Sequence, residues 1–168
     1  MATRSPAAAP TRVQLSPHFK LAELTVTQQP FANVPGPAEI AALTALCVHV
    51  LEPVRKHFGK PVRVNSGYRS DRVNRAVGSS RTSQHRRGEA GDIEIDGVPN
   101  AELACWIRDN LAFDQVILEA YHPGQPNSGW VHVSYSGRSK RGGSKGINSV
   151  LTMTLGSHGA VYSVGIHQ

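Results

Sequence analysis

Cysteine is nearly absent: Cys47 and Cys105 are the two in 168 residues, and each falls inside an apolar helical pattern with no Cys-x-x-Cys pair. A disulfide framework and a cysteine zinc knot are thereby excluded, and two buried thiols that disclose no redox compartment are the reading left. Aromatic residues make up only 6%. No uninterrupted apolar run approaches the ~18–20 residues needed to cross a bilayer. The opening Met-Ala-Thr-Arg-Ser-Pro-Ala-Ala-Ala-Pro is basic but lacks the apolar segment of a secretory signal. The expectation is a chain without a membrane span, made in the cytoplasm and not exported by a signal of its own. Acidic residues are also in short supply, with 12 Asp and Glu against 18 Lys and Arg, for a formal net charge of +6.

What is present describes one loop-rich folded domain. Hydrophobic residues reach 39%, charged residues 18%, and there are 16 Gly and 11 Pro, a composition far from both coiled coils and disordered chains. The length fits a single core. Residues 1–16, rich in Ala, Pro, Thr and Ser and without apolar period, read as a mobile leader, leaving 17–168 as the domain. Ten of the 18 basic residues fall between Arg55 and Arg87. Such a cluster attracts nucleic acid, acidic membranes or an anionic polymer such as cell wall, or is plain solvated surface.

Ser16 before Pro17 has the form of a helix N-cap, which predicts a short helix through Phe19, Leu21 and Leu24. From Pro37 to Phe58, Ile40, Leu43, Cys47, Val50, Leu51, Val54 and Phe58 recur at helical spacing, and Pro53 should kink or divide this main core helix. Residues 61–65 alternate as a strand, followed by a helix that Ser70 caps and Gly78 ends. Asp92–Ile95 alternates as another strand, and Asn100–Leu111 is amphipathic. Strands over 113–120 and 130–136 flank a Pro/Gly loop. Residues 137–148 form a basic Gly/Ser loop, and 149–166 supply two closing strands around Gly156 and Gly159. The fold class expected is α+β, one domain with a mainly antiparallel sheet and helices packed on one side.

The chemistry gathers in Ser83–Asp92 and Trp130–Tyr135. Two imidazoles and one carboxylate are a catalytic zinc set, since zinc takes nitrogen and oxygen donors and keeps a fourth position for water. His85, Asp92 and His132 fill the other three. Small residues at 88, 90 and 91 let the backbone return so that His85 and Asp92 reach one ion. Alternation sets Trp130, His132 and Ser134 on one strand face, away from Val131 and Val133. By spacing alone, solvent-facing or structural roles for these three residues compete with metal ligation.

The run S-x-H-x-x-G-x-A-x-D, complete from Ser83 to Asp92, resembles the signature of the M15 zinc peptidases, a family that includes D-alanyl-D-alanine carboxypeptidases and phage L-alanyl-D-glutamate endolysins. Ser66-Gly67-Tyr68-Arg69-Ser70, Phe113–Glu119 and Trp130–Ser134 match further family stretches in order. The resemblance implies a Hedgehog/DD-peptidase-like fold, Zn2+ held by His85, Asp92 and His132, and a carboxylate that takes a proton from water and passes it to the leaving amine. Glu119 is the candidate for that base, with Glu89 and Glu94 as rivals. The best-known members carry this glutamate three residues before the last histidine, where this chain has Gly129. The phage-type branch instead carries it at the end of the Phe-Asp-Gln strand, with a shorter turn than the one here. Arg69 corresponds to the family arginine that binds a substrate carboxylate or stabilises the oxyanion, against a plain salt bridge. Ser83 and Gln84 hold the loop or contact substrate, Ser134 is a candidate partner of His132, Tyr68 and Trp130 line the cleft or pack in the core, and His122 closes over the substrate or stays exposed.

The function this implies is hydrolysis of peptidoglycan stem peptides, at an L-Ala–D-Glu or a D-Ala–D-Ala bond, by a phage lysin or a virion-associated wall hydrolase acting after phage-type release. A virion or tail-tip protein keeping the fold for wall binding or assembly is the alternative, and the complete metal set argues against it. Nucleic acid is not expected as a partner, because the basic cluster has neither an aromatic stacking ladder nor a reading helix.

Overall fold

The computed structural model describes residues 13–167. Residues 1–12, most of the expected leader, lie outside that range. The ordered fold nevertheless starts before the expected boundary: β1 (Gln14–Ser16) pairs with β2 (Phe19–Lys20), and α1 (Leu21–Leu24) follows. Ser16 therefore ends a strand and does not cap a helix. The cause is distant in sequence, since the Ser16 hydroxyl donates to Glu52 at 2.7 Å while Leu15 and Phe19 are buried on either side of the turn.

Pro37–Phe58 is one 22-residue helical stretch, long and apolar enough to span a bilayer by length and composition alone. Its apolar face is instead the centre of the domain, with Leu43, Leu46, Cys47, Val50, Leu51 and Val54 buried. The stretch comprises α2 (Pro37–Leu46), a π-helical turn (Cys47–Leu51) and α3 (Glu52–Phe58). Pro53 has no N–H to give, and the wider turn just before it, where Glu52 N–H reaches back to the Cys47 carbonyl, absorbs the break. Burial and then the charges of Glu52 and Glu23 push the Cys47 thiol up to about 12, so it is an inert core group; Cys105 is half-buried and equally free.

After β3 (Arg63–Ser66) comes α4 (Asp71–Ala76), capped by Ser70 as expected. A 3-10 turn (Gln84–Arg87) leads into β4 (Ala90–Glu94), then α5 (Asn100–Asn110), β5 (Ala112–Phe113), β6 (Gln115–Glu119) and β7 (Trp130–Ser134). The basic loop contains β8 (Lys140–Arg141), which pairs with β5, and a 3-10 turn (Gly146–Ser149); β9 (Val150–Gly156) and β10 (Gly159–Val164) close the chain.

The main sheet has the order β10-β9-β6-β7-β4-β3, and every pairing in it is antiparallel except β6 with β9. Ile93, Val116, Leu118, Val131 and Val133 point from one face into the core beside the long helical stretch and α5. Because side chains alternate, the neighbouring residues of the same strands must face the opposite side. That side carries Asp92, His132, Gln115, Ile117 and Glu119, all of which line one cleft.

Candidate metal centre

Asp92 and His132 are register partners on the paired strands β4 and β7, and Ile117 of β6 continues the same row. His85 enters from the 3-10 turn. The three potential donor atoms converge tightly: His85 Nε2 lies 3.2 Å from both His132 Nδ1 and Asp92 Oδ1, and His132 Nδ1 lies 3.0 Å from Asp92 Oδ1. All three residues are buried.

The protons of the two rings are held elsewhere. His85 Nδ1 faces the Gly67 carbonyl at 2.7 Å, which can only accept, so Nδ1 carries the hydrogen and Nε2 a lone pair. His132 Nε2 donates to Gln84 Oε1 at 3.2 Å, leaving Nδ1 bare. Burial pulls the His85 pKa below the ordinary histidine range, which keeps that ring neutral. Three acceptors thus meet with no hydrogen between them, an arrangement that calls for a cation. Ligand atoms around tetrahedral zinc at ~2.0–2.1 Å stand about 3.3 Å apart, close to the separations here. The residues fit the metal.

Two features of the surrounding backbone fix this geometry. Gly67 passes so close to α1 that a Cβ there would meet the Leu24 carbonyl oxygen at 2.3 Å, and this approach sets the carbonyl that orients His85. Gly129 has φ +68°, and a Cβ would lie 1.8 Å from the Glu119 carbonyl oxygen. The close approach of Gly129 to the end of β6 therefore leaves no room for a glutamate at 129.

Glu119 is half-buried at the end of β6, directly across from Trp130. Burial pushes its carboxyl above the ordinary glutamate range, and the Asp92 carboxylate adds to the rise. The rivals are elsewhere. Glu89 pairs with Arg87 at 2.7 Å and Glu94 with Arg63 at 3.0 Å, and neither lines the cleft.

Arg69 follows β3 and donates Nε to Ser66 Oγ at 2.7 Å and Nη2 to Asp92 Oδ2 at 2.5 Å. Its first task is to hold a ligand carboxylate, with its remaining N–H groups left for the cleft. Ser83 and Gln84 line the cleft, and Gln84, not Ser134, is the hydrogen-bond partner of His132; the Ser134 hydroxyl turns to the Gln115 carbonyl. Tyr68 packs against the core and is not a cleft residue, because its backbone is tied to Leu24 and Asn33. Trp130 does line the cleft, while His122 is exposed in its loop, hydrogen-bonded to Ser128. The basic cluster is less free than its count implies, since Arg63, Arg69, Arg86 and Arg87 are each engaged by a carboxylate.

The cleft encloses about 740 Å3. Sequence reasoning missed several of its walls: Ser79 and Ser80 after α4, and Lys145, Asn148 and Tyr162 near the C-terminus. None belongs to a motif, and only the pairing of β9 beside β6 and β10 beside β9 brings the last three to the site.

A buried two-histidine, one-carboxylate centre opening on a cleft fits the metal site of a zinc hydrolase. The chain belongs to the M15 peptidases: a family model described as Peptidase M15 matches residues 17–134. No curated protein matches the chain in a sequence search. It is accordingly a zinc metallopeptidase, with His85, Asp92 and His132 grouped to bind the ion.

Proposed function

We propose that this peptidase hydrolyses stem peptides of bacterial peptidoglycan, at an L-Ala–D-Glu or D-Ala–D-Ala bond, as a lysin released in the phage manner or carried on a virion. The observation that carries the reading is the meeting of three proton-free ligand atoms beside one raised carboxyl, Glu119, in a cleft wide enough for a short peptide. Bound zinc supplies Lewis acidity toward the scissile carbonyl and makes water a better acid.

The chain's own groups do the rest. A Glu119 carboxylate oxygen accepts a proton from the attacking water as the new C–O bond forms, then returns it to the amide nitrogen as the C–N bond breaks. Burial suits the group to both halves, because a carboxyl raised above its usual range holds the proton longer than an exposed one. Arg69, with Ser66 behind it, keeps Asp92 in place and offers its spare N–H groups to the developing oxyanion. Gln84 fixes the ring of His132.

The test is digestion of purified peptidoglycan and of defined muropeptides, with mass analysis of the products, in zinc and in excess chelator. New amino termini at one stem-peptide bond, lost with chelator, are expected. Intact muropeptides in the presence of zinc, with the protein folded and metal-loaded, would reject this substrate class and favour a wall-binding role.

A further inference from the structure

The loop over 137–148 has the composition of free chain, yet the structure ties it down. Lys140 and Arg141 pair with Phe113 and Ala112. Ser144 N–H donates to the Asp114 carbonyl at 3.3 Å, and its hydroxyl is bonded to the buried Asp114 carboxylate. Lys145 N–H donates to Ser149 Oγ at 2.8 Å, and that serine is 1% exposed. Gln115 Nε2 donates to the Asn148 carbonyl at 2.7 Å. A segment tied to Ala112–Gln115 and closed on its own end by Ser149 presents one long side chain, Lys145, to the cleft.

The cleft has two cationic residues in its lining, Lys145 and Arg69. Arg69 is engaged with Asp92, whereas Lys145 has no ion pair among the described residues and is exposed. In the sheet, β6 and the ligand strands β7 and β4 lie between β9, which Lys145 precedes, and β3, which Arg69 follows; the Arg69 guanidinium reaches back to Asp92 on β4. Along β6, the His132 row meets Ile117, two residues from Gln115 at the Lys145 end and two from Glu119 at the other. Two strand steps are ~7 Å, the spacing from a scissile carbonyl to a charged group one or two residues along an extended peptide. Lys145 also borders a second hollow that holds Arg87 and Arg138, together with Glu89 and Asp114. Glu89 is engaged by Arg87 and Asp114 by Ser144, so the positive charges of Arg138 and Lys145 are the ones left without a partner in the described residues.

We propose that Lys145 forms a carboxylate-binding subsite, so that the enzyme selects peptides carrying a free carboxylate one or two residues from the bond it cuts. This deepens, and rests on, the stem-peptide reading above. The experiment compares a cleaved stem peptide with analogues in which each carboxylate in turn is a carboxamide, using wild type, Lys145→Ala and Lys145→Arg. For wild type, one amidation should raise KM by ~10–100-fold, the usual worth of a hydrogen bond to a charged group, with kcat nearly unchanged. Lys145→Ala should show that loss on the acid peptide and indifference to the amidation, and Lys145→Arg should restore most of the preference. Equal KM for acid and amide in wild type, or an amide penalty undiminished in Lys145→Ala, overturns the subsite while leaving the peptidase reading intact. If neither peptide is cut, the stem-peptide reading fails separately, and calorimetric binding of acid and amide peptides still decides: equal or absent binding overturns the Lys145 assignment.

Discussion

His85 and His132 turn bare nitrogens toward each other, Nε2 to Nδ1 at 3.2 Å, because the Gly67 carbonyl and the Gln84 amide oxygen have taken their protons on the far sides. Without an ion between them, two lone pairs and the Asp92 carboxylate repel inside a buried site. The first expectation follows directly. Zinc at ~1,000 times its Kd adds ~4 kcal/mol and should raise Tm by roughly 8–16 °C for a chain of this size. Calorimetry with zinc and then with chelator measures it. His85→Ala and His132→Ala should lose the rise, and a full shift in either variant would remove that residue from the ligand set.

Gln84→Ala should weaken zinc binding by ~10–100-fold, because the ring of His132 loses the acceptor that fixes its tautomer. Competition against a zinc-sensitive dye reads the change. Gln84→Glu, which still accepts from Nε2–H, should stay near wild type, and equal weakening in both variants would mean that accepting from His132 is not what Gln84 contributes.

Glu119→Gln should keep zinc and fold but lose ~10²–10⁴-fold in kcat, since an amide cannot take the proton. Glu89→Gln and Glu94→Gln remove partners of Arg87 and Arg63 outside the cleft and should cost little turnover. A dead Glu89 or Glu94 variant beside an active Glu119→Gln would reverse the assignment.

Glu52 gives a pH dependence remote from the metal. Burial opposes its charge, but hydrogen bonds from the Ser16 hydroxyl and from the His18 ring and backbone N–H outweigh that, and the carboxyl sits below the ordinary range. A depressed folded pKa stabilises above the unfolded value, about 4.3, and the contribution is lost as pH falls through the folded pKa. Between pH 5 and pH 3, wild type should therefore lose Tm more steeply than Glu52→Gln. Parallel thermal-melt curves over that window would disprove it.

The metal triad was legible chiefly through the likeness of Ser83–Asp92 and Trp130–Ser134 to the M15 signature; strand alternation at His132 and Asp92 and the small residues after His85 agreed with it but by themselves left structural roles open. The N-terminal boundary was not, since Ser16 answers to Glu52, 36 positions away. Gln84 was visible as a site residue but its partner was not, because a hydrogen bond across 48 positions leaves no periodic trace. Lys145, Asn148 and Tyr162 were hidden for a related reason: composition describes their segments as free loop and edge strand, and only long-range strand pairing makes them walls of the cleft.

The pairing of β6 with β9 also divides the site between two stretches of chain. All three metal ligands precede residue 133, whereas Val150–Thr152, the residues of β9 that pair with β6, and the Lys145 and Tyr162 walls of the cleft come later. The grip on the ion and the far wall of the cleft are therefore separable by sequence, and substitutions in the C-terminal hairpin can change what the cleft admits without altering any atom that holds the metal.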